Sequence, residues 1–371
     1  MDYGEKNILV LGAGSSGIGA AWVLAQLHAN VVLNDYKPVE FESSTRKKLD
    51  DAGVTIITGR QDNSLLNGVD RIVISPGIAL SIPIVQEAFN RHIEVVSEVE
   101  LAYDVCKSPI LGVTGTNGKT TTTTLLTQVM ESTGLPIKVG GNIGDSLSEA
   151  AFNMPEGGYL IAELSSYQLE TIKSFCPLGA IVLNVTPDHL ARHKTMENYA
   201  AAKARIFMNQ NAENFVVLND DDPIVAAMKK DVHSKILSIS QHNKVECGAY
   251  FEGNTCYAVL NGNVISVIDT EQIHIKGAHN IENILSVIAL TYALGVDVER
   301  IKRTIENFHG VEHRLERVTT IHDVTFYNDS KATNTDSVVK ALDAFDKPVI
   351  LLAGGHDKMT PLEDFMNVVK E

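Results

Sequence analysis

Short apolar runs separated by amphipathic stretches set the organisation of residues 7–100. Asn7–Leu11 (NILVL) reads as a buried strand, and an apolar helix follows through Ala20–Leu27. Val31–Leu33, Val54–Ile57 and Arg71–Ile74 read as the next strands, with a fifth around Ile93–Val96. Strands alternating with helical segments predict a parallel sheet covered by helices on its faces. A second unit opens with the strand Pro109–Val113 and continues through Tyr159–Glu163, Gly179–Asn184 and Phe215–Leu218. Residues 245–276 change period: apolar and polar positions alternate around Asn261-Gly262, which predicts a hairpin and a small antiparallel piece. An apolar helix over Ile281–Leu294 follows, and the unit closes near Phe308.

The remaining stretch holds a β-segment (Arg317–Asn328), a helix (Thr335–Phe345), a strand (Val349–Ala353) and a last helix (Pro361–Lys370). Domains of that kind have at least about 50 residues and commonly 100–150. This stretch is therefore expected to be part of a domain. The pattern gives an α/β protein of three domains. Residues 1–98 form a Rossmann-like domain, 99–309 a central domain with an antiparallel appendage, and 310–371 an incomplete Rossmann-like domain.

Charge narrows the partners. With 31 basic against 46 acidic residues the formal net charge is −15, a field that repels nucleic acid and anionic lipid. Anionic ligands must then be held by local glycine loops, helix N-termini and a few lysines. No apolar run reaches the roughly 18–20 residues of a membrane span. The opening MDYGEKNILVLGAG lacks the basic start and cleavage site of a signal peptide, so a cytoplasmic protein is expected. Cys106, Cys176, Cys247 and Cys256 show no C-x-x-C spacing, which argues against structural zinc or a disulfide framework. No apolar seam suggests an oligomer, so a monomer is expected.

Two glycine loops carry the candidate chemistry. Gly12-Ala13-Gly14-Ser15-Ser16-Gly17 is a G-x-G-x-x-G between strand and helix, and Asp35 ends the next strand 18 positions after Gly17. Such glycines let backbone approach a diphosphate at a helix N-terminus, while the acid can accept from a ribose. NAD, FAD and a UDP-sugar all fit it, as does a tight turn without a ligand. Ser75-Pro76-Gly77 follows the fourth strand and lies at the same sheet edge, where ligands of such folds collect. Thr114-Gly115-Thr116-Asn117-Gly118-Lys119-Thr120 follows a strand and opens a threonine-rich helix. Its N–H groups can cradle a triphosphate, with Lys119 on the β- and γ-phosphates and Thr120 on magnesium. Val113 stands where the strict P-loop has glycine, so the loop is a variant. An oxidoreductase reading rests on the first loop and Asp35 alone and leaves the second unexplained. A nucleotide-binding module without catalysis remains a third reading.

GTNGKTT resembles the variant P-loop of the Mur ligases and their folylpolyglutamate synthase relatives. The resemblance continues in order through GAGSSG, SPGIAL (Ser75–Leu80), GGNIG (Gly140–Gly144), ELSSYQLE (Glu163–Glu170) and NVTPDHLARH (Asn184–His193). It ends with GAHNIEN (Gly277–Asn283), HRLE (His313–Glu316) and NDSKATN (Asn328–Asn334). These segments are most similar to the D-glutamate-adding branch of that family. The resemblance implies that the carboxylate of UDP-N-acetylmuramoyl-L-alanine attacks ATP to give an acyl phosphate. D-glutamate then displaces phosphate to form an amide for peptidoglycan.

The same resemblance implies roles. Gly14, Ser15, Ser16, Asp35, Ser75, Pro76 and Gly77 would hold the UDP-substrate, with Asn142 and Ser165 on its muramoyl-alanine arm or the phosphates. Tyr36 and Lys37 replace a threonine-arginine pair common in relatives. Gly115, Thr116, Asn117, Gly118, Lys119, Thr120, Thr121, Asn283, Arg314, Asp329 and Lys331 would bind ATP. Thr333 and Lys358 would contact D-glutamate. Two magnesium ions would draw on Thr120, Glu163, His189 and Lys203, the lysine being carbamylated; Lys119, His189 and Lys203 would be catalytic. On residue type alone, Glu163 is equally a strand-end surface acid, His189 a structural histidine and Lys203 a helix-surface lysine.

Overall fold

The computed structural model describes residues 2–275, 277–332, 334–342, 344–345, 347–355 and 363–370. The chain divides into two compact units. The first comprises Met1–Thr114, Leu135–Ala180 and Ala201–Asn214; the second comprises Gly115–Gly134, Ile181–Ala200 and Phe215–Glu371.

The first unit opens with β1 (Asn7–Leu11), β2 (Asn30–Asp35), β3 (Thr55–Thr58), β4 (Arg71–Ile74) and β5 (Glu94–Ser97), all parallel in the order β3-β2-β1-β4-β5. Alternate residues face opposite sides of a strand. Ile8 and Val10 accordingly join one buried cluster with Val31, Leu33 and Val96, while Leu9 and Leu11 join another with Ile72, Ile74 and Val95. Burial on both faces accounts for the uninterrupted apolar runs in these strands. The order reverses between β1 and β4, so the loops leaving those strands meet at a topological switch point. The helix after β1 spans Ser15–Gln26, starting five residues before the expected Ala20, because Gly14 in extended backbone is its N-cap.

The same unit contains β6 (Ile110–Thr114), β7 (Ile137–Gly141) and β8 (Tyr159–Glu163), parallel in the order β6-β8-β7. Strand β7 was not expected: its sequence IKVGG combines a lysine with two glycines and has little strand character of its own. Its ladder with β8 supplies what the composition does not. Strand β9 (Gly179–Val182) ends two residues before the expected Asn184.

In the second unit β10 (Phe215–Asn219), β11 (Lys235–Ser240) and β12 (Gly248–Glu252) run parallel, and β13 (Thr255–Leu260) and β14 (Asn263–Asp269) continue antiparallel. Strand β11 is a second addition to the expected set. The hairpin forms as expected: Asn261 (φ 51°) and Gly262 (φ 79°) make the two-residue, positive-φ turn that matches strand twist. The helix Ala278–Ala293, with Ile284, Leu285 and Ile288 buried, packs on β10–β13 and also meets the helix Lys119–Glu131.

Beyond residue 310, β15 (Glu316–Ile321) and β16 (Val324–Asn328) form an antiparallel hairpin, and a helix covers Thr335–Leu342. That helix stops three residues short of the expected Phe345, passing into turns at Ala344 and Phe345. The expected strand Val349–Ala353 does not form. Its backbone carries no ladder partner among the described residues, and Ile350 and Leu352 are 89% and 93% exposed. The last helix is Glu363–Lys370; the expected start at Pro361 lies outside the described residues. No helix among the described residues is long and apolar enough to cross a membrane.

Candidate active site

The first glycine loop is built so that only glycine serves at two positions. Gly12 has φ 97°, and a Cβ there would lie 2.7 Å from Ser75 Cβ. A Cβ on Gly17 would lie 1.8 Å from the Gly12 carbonyl oxygen, so the helix start is pressed against the turn. Among the described residues nothing lies within 4 Å of the Gly14 Cβ position, and no side chain caps the helix behind it. A helix start without a side-chain cap, beside open space, fits an anionic group. Ser75 closes the other side, donating from Oγ to the Gly12 carbonyl at 3.3 Å. Ser15 and Gly77 are exposed, and Ser16 and Pro76 half-buried, at this same edge. Asp35 accepts from the backbone N–H of Ala13 and of Lys37, each at 2.9 Å. The acid expected to meet a ribose therefore also fixes the loop.

Glu98 is a residue of this region that sequence reasoning missed. Its side chain is fully buried and accepts from Ser148 N and Oγ, both at 2.9 Å. Burial pushes its carboxyl up from the usual range, against the pull of hydrogen bonds from Ser148, Ser16 and Ser146. The acid thus links a glycine-loop serine to the start of the helix Leu147–Phe152. Its position just after a strand is the one signal the sequence offered.

Glu163 ends β8 with no exposed surface. Its Oε1 accepts from Asn142 Nδ2 at 2.8 Å, and its backbone carbonyl accepts from Asn142 N at 2.9 Å. Among the described residues the buried Oε2 has no hydrogen-bond partner. An unsatisfied buried carboxylate oxygen is costly, and a cation relieves it, so this donor fits magnesium. Ser165 is occupied locally: it caps the helix Ser166–Leu169 in a reciprocal box with Gln168. Lys203 is 1% exposed, which removes the helix-surface reading. Lysine is almost never fully buried without a partner or a purpose.

In the second unit the loop Gly115–Gly118 precedes the helix Lys119–Glu131. Gly118 has φ 84°, and a Cβ would fall 2.3 Å from Asn283 Oδ1. Asn283, 2% exposed, accepts from Thr122 Oγ1 and donates to Asn280 Oδ1, each at 3.1 Å. Thr116 and Asn117 are pinned to Asn184 by N–H donations of 2.9 Å to its backbone and side-chain oxygens. Lys119 Nζ donates to the carbonyls of Gly115 (2.9 Å) and Thr116 (2.8 Å), folding over the loop where phosphate oxygens would be. Thr120 is half-buried in the first turn of the helix.

One cleft gathers Asn117, Gly118, Thr121 and Asn283 with Arg314 and Asp329 from the last segment. Asn184, His279, Asn280, Ser337 and Lys340 also line it and were not anticipated. Burial raises the Asp329 carboxyl; a hydrogen bond from Leu315 N and the charge of Arg314 act against it. The HRLE turn holds His313 (φ 66°) and Leu315 (φ 42°) in left-handed backbone, an uncommon state for side chains of this bulk. Lys331 lies outside the cleft lining, its N–H on the His313 carbonyl at 3.1 Å. Thr333 and Lys358 lie outside the described residues.

His189 begins the short helix Leu190–His193 at φ 54°, with Nε2 3.6 Å from Asp188 Oδ2. The buried ring of Tyr199 lies against both His189 and His193, and its hydroxyl is 3.3 Å from Thr116 Oγ1. Tyr199 is therefore a second residue that the sequence did not single out. Among the described residues no group of three or more His, Cys, Asp or Glu could hold a metal. A magnesium ion here would take its remaining ligands from phosphate oxygens, hydroxyls and water, as that ion commonly does.

Residues 6–97 match the Mur ligase MurD-like N-terminal domain, and residues 113–291 match the Mur ligase middle domain. Over 366 residues the chain is 42% identical to the UDP-N-acetylmuramoylalanine–D-glutamate ligase of Thermoanaerobacter pseudethanolicus, covering 99% of this chain and 81% of that one. The chain belongs to the Mur ligase family. The ligase of the same name from Clostridioides difficile is 38% identical over 375 residues, covering 100% and 82%. Solved Mur-type ligases share the fold at lower identity. A murein peptide ligase from Psychrobacter arcticus gives a TM-score of 0.59 at 20% identity, over 91% of this chain and 75% of that one. A pseudomurein peptide ligase from Methanothermus fervidus gives 0.55 at 21%, over 93% and 78%. Membership in a ligase family removes the oxidoreductase reading.

Proposed function

We propose that this Mur ligase joins D-glutamate to UDP-N-acetylmuramoyl-L-alanine in peptidoglycan precursor synthesis, forming ADP and phosphate. The observation that carries the reading is continuous similarity, across 99% of the chain, to ligases of that name. Residues 1–98 bind the UDP-substrate, 99–309 bind ATP, and 310–371 belong to the amino-acid-binding domain. The enzyme works in the cytoplasm as a monomer.

The substrate carboxylate is a poor electrophile, and phosphorylation gives it a leaving group. Its oxygen attacks the γ-phosphorus and ADP departs. The D-glutamate amine then attacks the acyl carbon, and phosphate leaves as the amide forms. Gly14, Ser15, Ser16, Asp35 and the Ser75–Gly77 turn hold the UDP portion. Asn142 and Ser165 orient the muramoyl-alanine arm, and Thr333 and Lys358 the incoming amino acid. The N–H groups of Gly115–Thr121 cradle the triphosphate, and Lys119 exchanges its loop carbonyls for phosphate oxygens as charge develops there. Asn283 and Arg314 contact the nucleotide, and Asp329 and Lys331 approach from the last segment. Thr120, Glu163, His189 and Lys203 would hold two magnesium ions, which would supply positive charge against the phosphates.

Lys203 completes that set as a carbamate. Its neutral amine adds carbon dioxide and releases a proton, giving a buried anion that would bind metal. Labelling with ¹³C-bicarbonate should give a carbamate NMR signal that disappears in Lys203→Ala; its absence from the wild-type protein removes this part of the mechanism. Substrate class is tested by ADP release with D-glutamate, L-alanine or L-lysine as acceptor. Release confined to D-glutamate supports the proposal, and preference for either other amino acid reassigns the chain within the family.

A further inference from the structure

The residues assigned so far bind substrates, but they leave open how the last segment is registered against the phosphate loop. Asn334, immediately before the helix Thr335–Leu342, makes contacts that bear on this. Its Nδ2 donates to Asn117 Oδ1 at 3.1 Å and to Asp188 Oδ2 at 3.3 Å, partners 217 and 146 positions away in sequence. Its Oδ1 accepts from Ser337 N at 2.8 Å, capping the helix. The two ends of the carboxamide are not interchangeable. Turning it over would set its oxygen against two acceptors and its NH₂ against a donor. All three neighbours are themselves fixed: Asn117 is bonded to Asn184, Asp188 accepts from the backbone N–H of His189, and Ser337 faces the cleft.

We propose that Asn334 is a positioning residue: through one carboxamide it locks the start of the helix Thr335–Leu342 to the phosphate-loop Asn117 and to Asp188 beside His189. The lock sets the cleft wall formed by Ser337 and Lys340 at the distance that Mg-ATP requires. It acts through Asn117 and Asp188, without touching the reacting atoms. The inference rests on reading Gly115–Gly118 as the ATP loop, and the test separates the two.

Serine caps helices about as well as asparagine, yet it is neutral and too short to reach either partner. Asn334→Ser therefore keeps the cap and loses the lock, whereas Asn334→Ala loses both. Full-length wild type, N334S and N334A are compared by calorimetric titration with Mg-ATP, by KM and kcat, and by thermal unfolding. The proposal expects N334S to melt close to wild type while its Mg-ATP affinity falls about 10-fold, the scale of losing a hydrogen bond to a charged group. N334A should lose a similar factor in affinity and melt lower. Wild-type affinity in N334S beside a weakened N334A would reduce Asn334 to a helix cap and overturn the proposal alone. Failure of the wild-type chain to bind Mg-ATP would overturn the ATP-loop reading, and the proposal with it.

Discussion

Adding one methyl group at Gly118 should damage the ATP site more than its size suggests. The backbone there is left-handed at φ 84°, and the new Cβ would sit 2.3 Å from Asn283 Oδ1. Holding a non-glycine residue in that backbone state costs about 1–2 kcal/mol. Relieving the clash requires the Asn283 carboxamide to swing away from Thr122 and Asn280, two buried hydrogen bonds of 3.1 Å. Each contributes about 0.5–1.5 kcal/mol. Gly118→Ala should therefore lower stability by about 2–5 kcal/mol, or else reshape the loop and lose ATP affinity. Denaturant unfolding and Mg-ATP titration would be run on G118A, N283A and the double variant. Because Asn283→Ala removes the clashing atom, the double variant should be more stable than the sum of the single losses predicts. Unchanged unfolding and unchanged ATP affinity in G118A would refute the reasoning.

Lys119→Ala should slow turnover by at least about 10²–10³, since its ammonium meets charge developing on the phosphoryl group; steady-state ADP release measures it, and near-normal turnover contradicts the mechanism. Glu163→Gln removes the charge at the buried Oε2 while keeping an acceptor toward Asn142. Its activity should require several-fold more magnesium, and an unshifted magnesium titration would exclude Glu163 as a ligand. Burial pushes the Cys256 thiol up to about 12. Its contribution to stability is complete below the ordinary thiol range near pH 9 and is lost as pH rises toward 12, because the unfolded thiol ionises first. Cys256→Ala should flatten that alkaline decline, by up to about 1.4 kcal/mol per pH unit; parallel decline in both proteins would exclude the assignment.

Legibility in the sequence followed the locality of each constraint. Gly17 answers to the nearby Gly12 carbonyl, and Gly12, Gly118 and the Asn261-Gly262 turn each require positive φ angles. Such features show in the chain itself. Strand β7 did not, because IKVGG becomes a strand only beside β8. The opposite error arose at Val349–Ala353, where an apolar run met no neighbouring strand among the described residues. The identities of the phosphate-loop residues were readable, but not their supports. Asn184, Tyr199 and Asn334 reach the loop from 67 to 217 positions away, and no local pattern marks such partners. Burial of Lys203 and the unsatisfied oxygen of Glu163 were likewise visible only once packing was known.

ATP-driven amide formation is read from its product. The chain is incubated with Mg-ATP, UDP-N-acetylmuramoyl-L-alanine and isotopically labelled D-glutamate, and ADP and labelled product are followed together. Labelled amide should appear in equal amount with ADP, and not at all when either ATP or the UDP-substrate is omitted. ATP and UDP-substrate that bind without yielding labelled amide would contradict it.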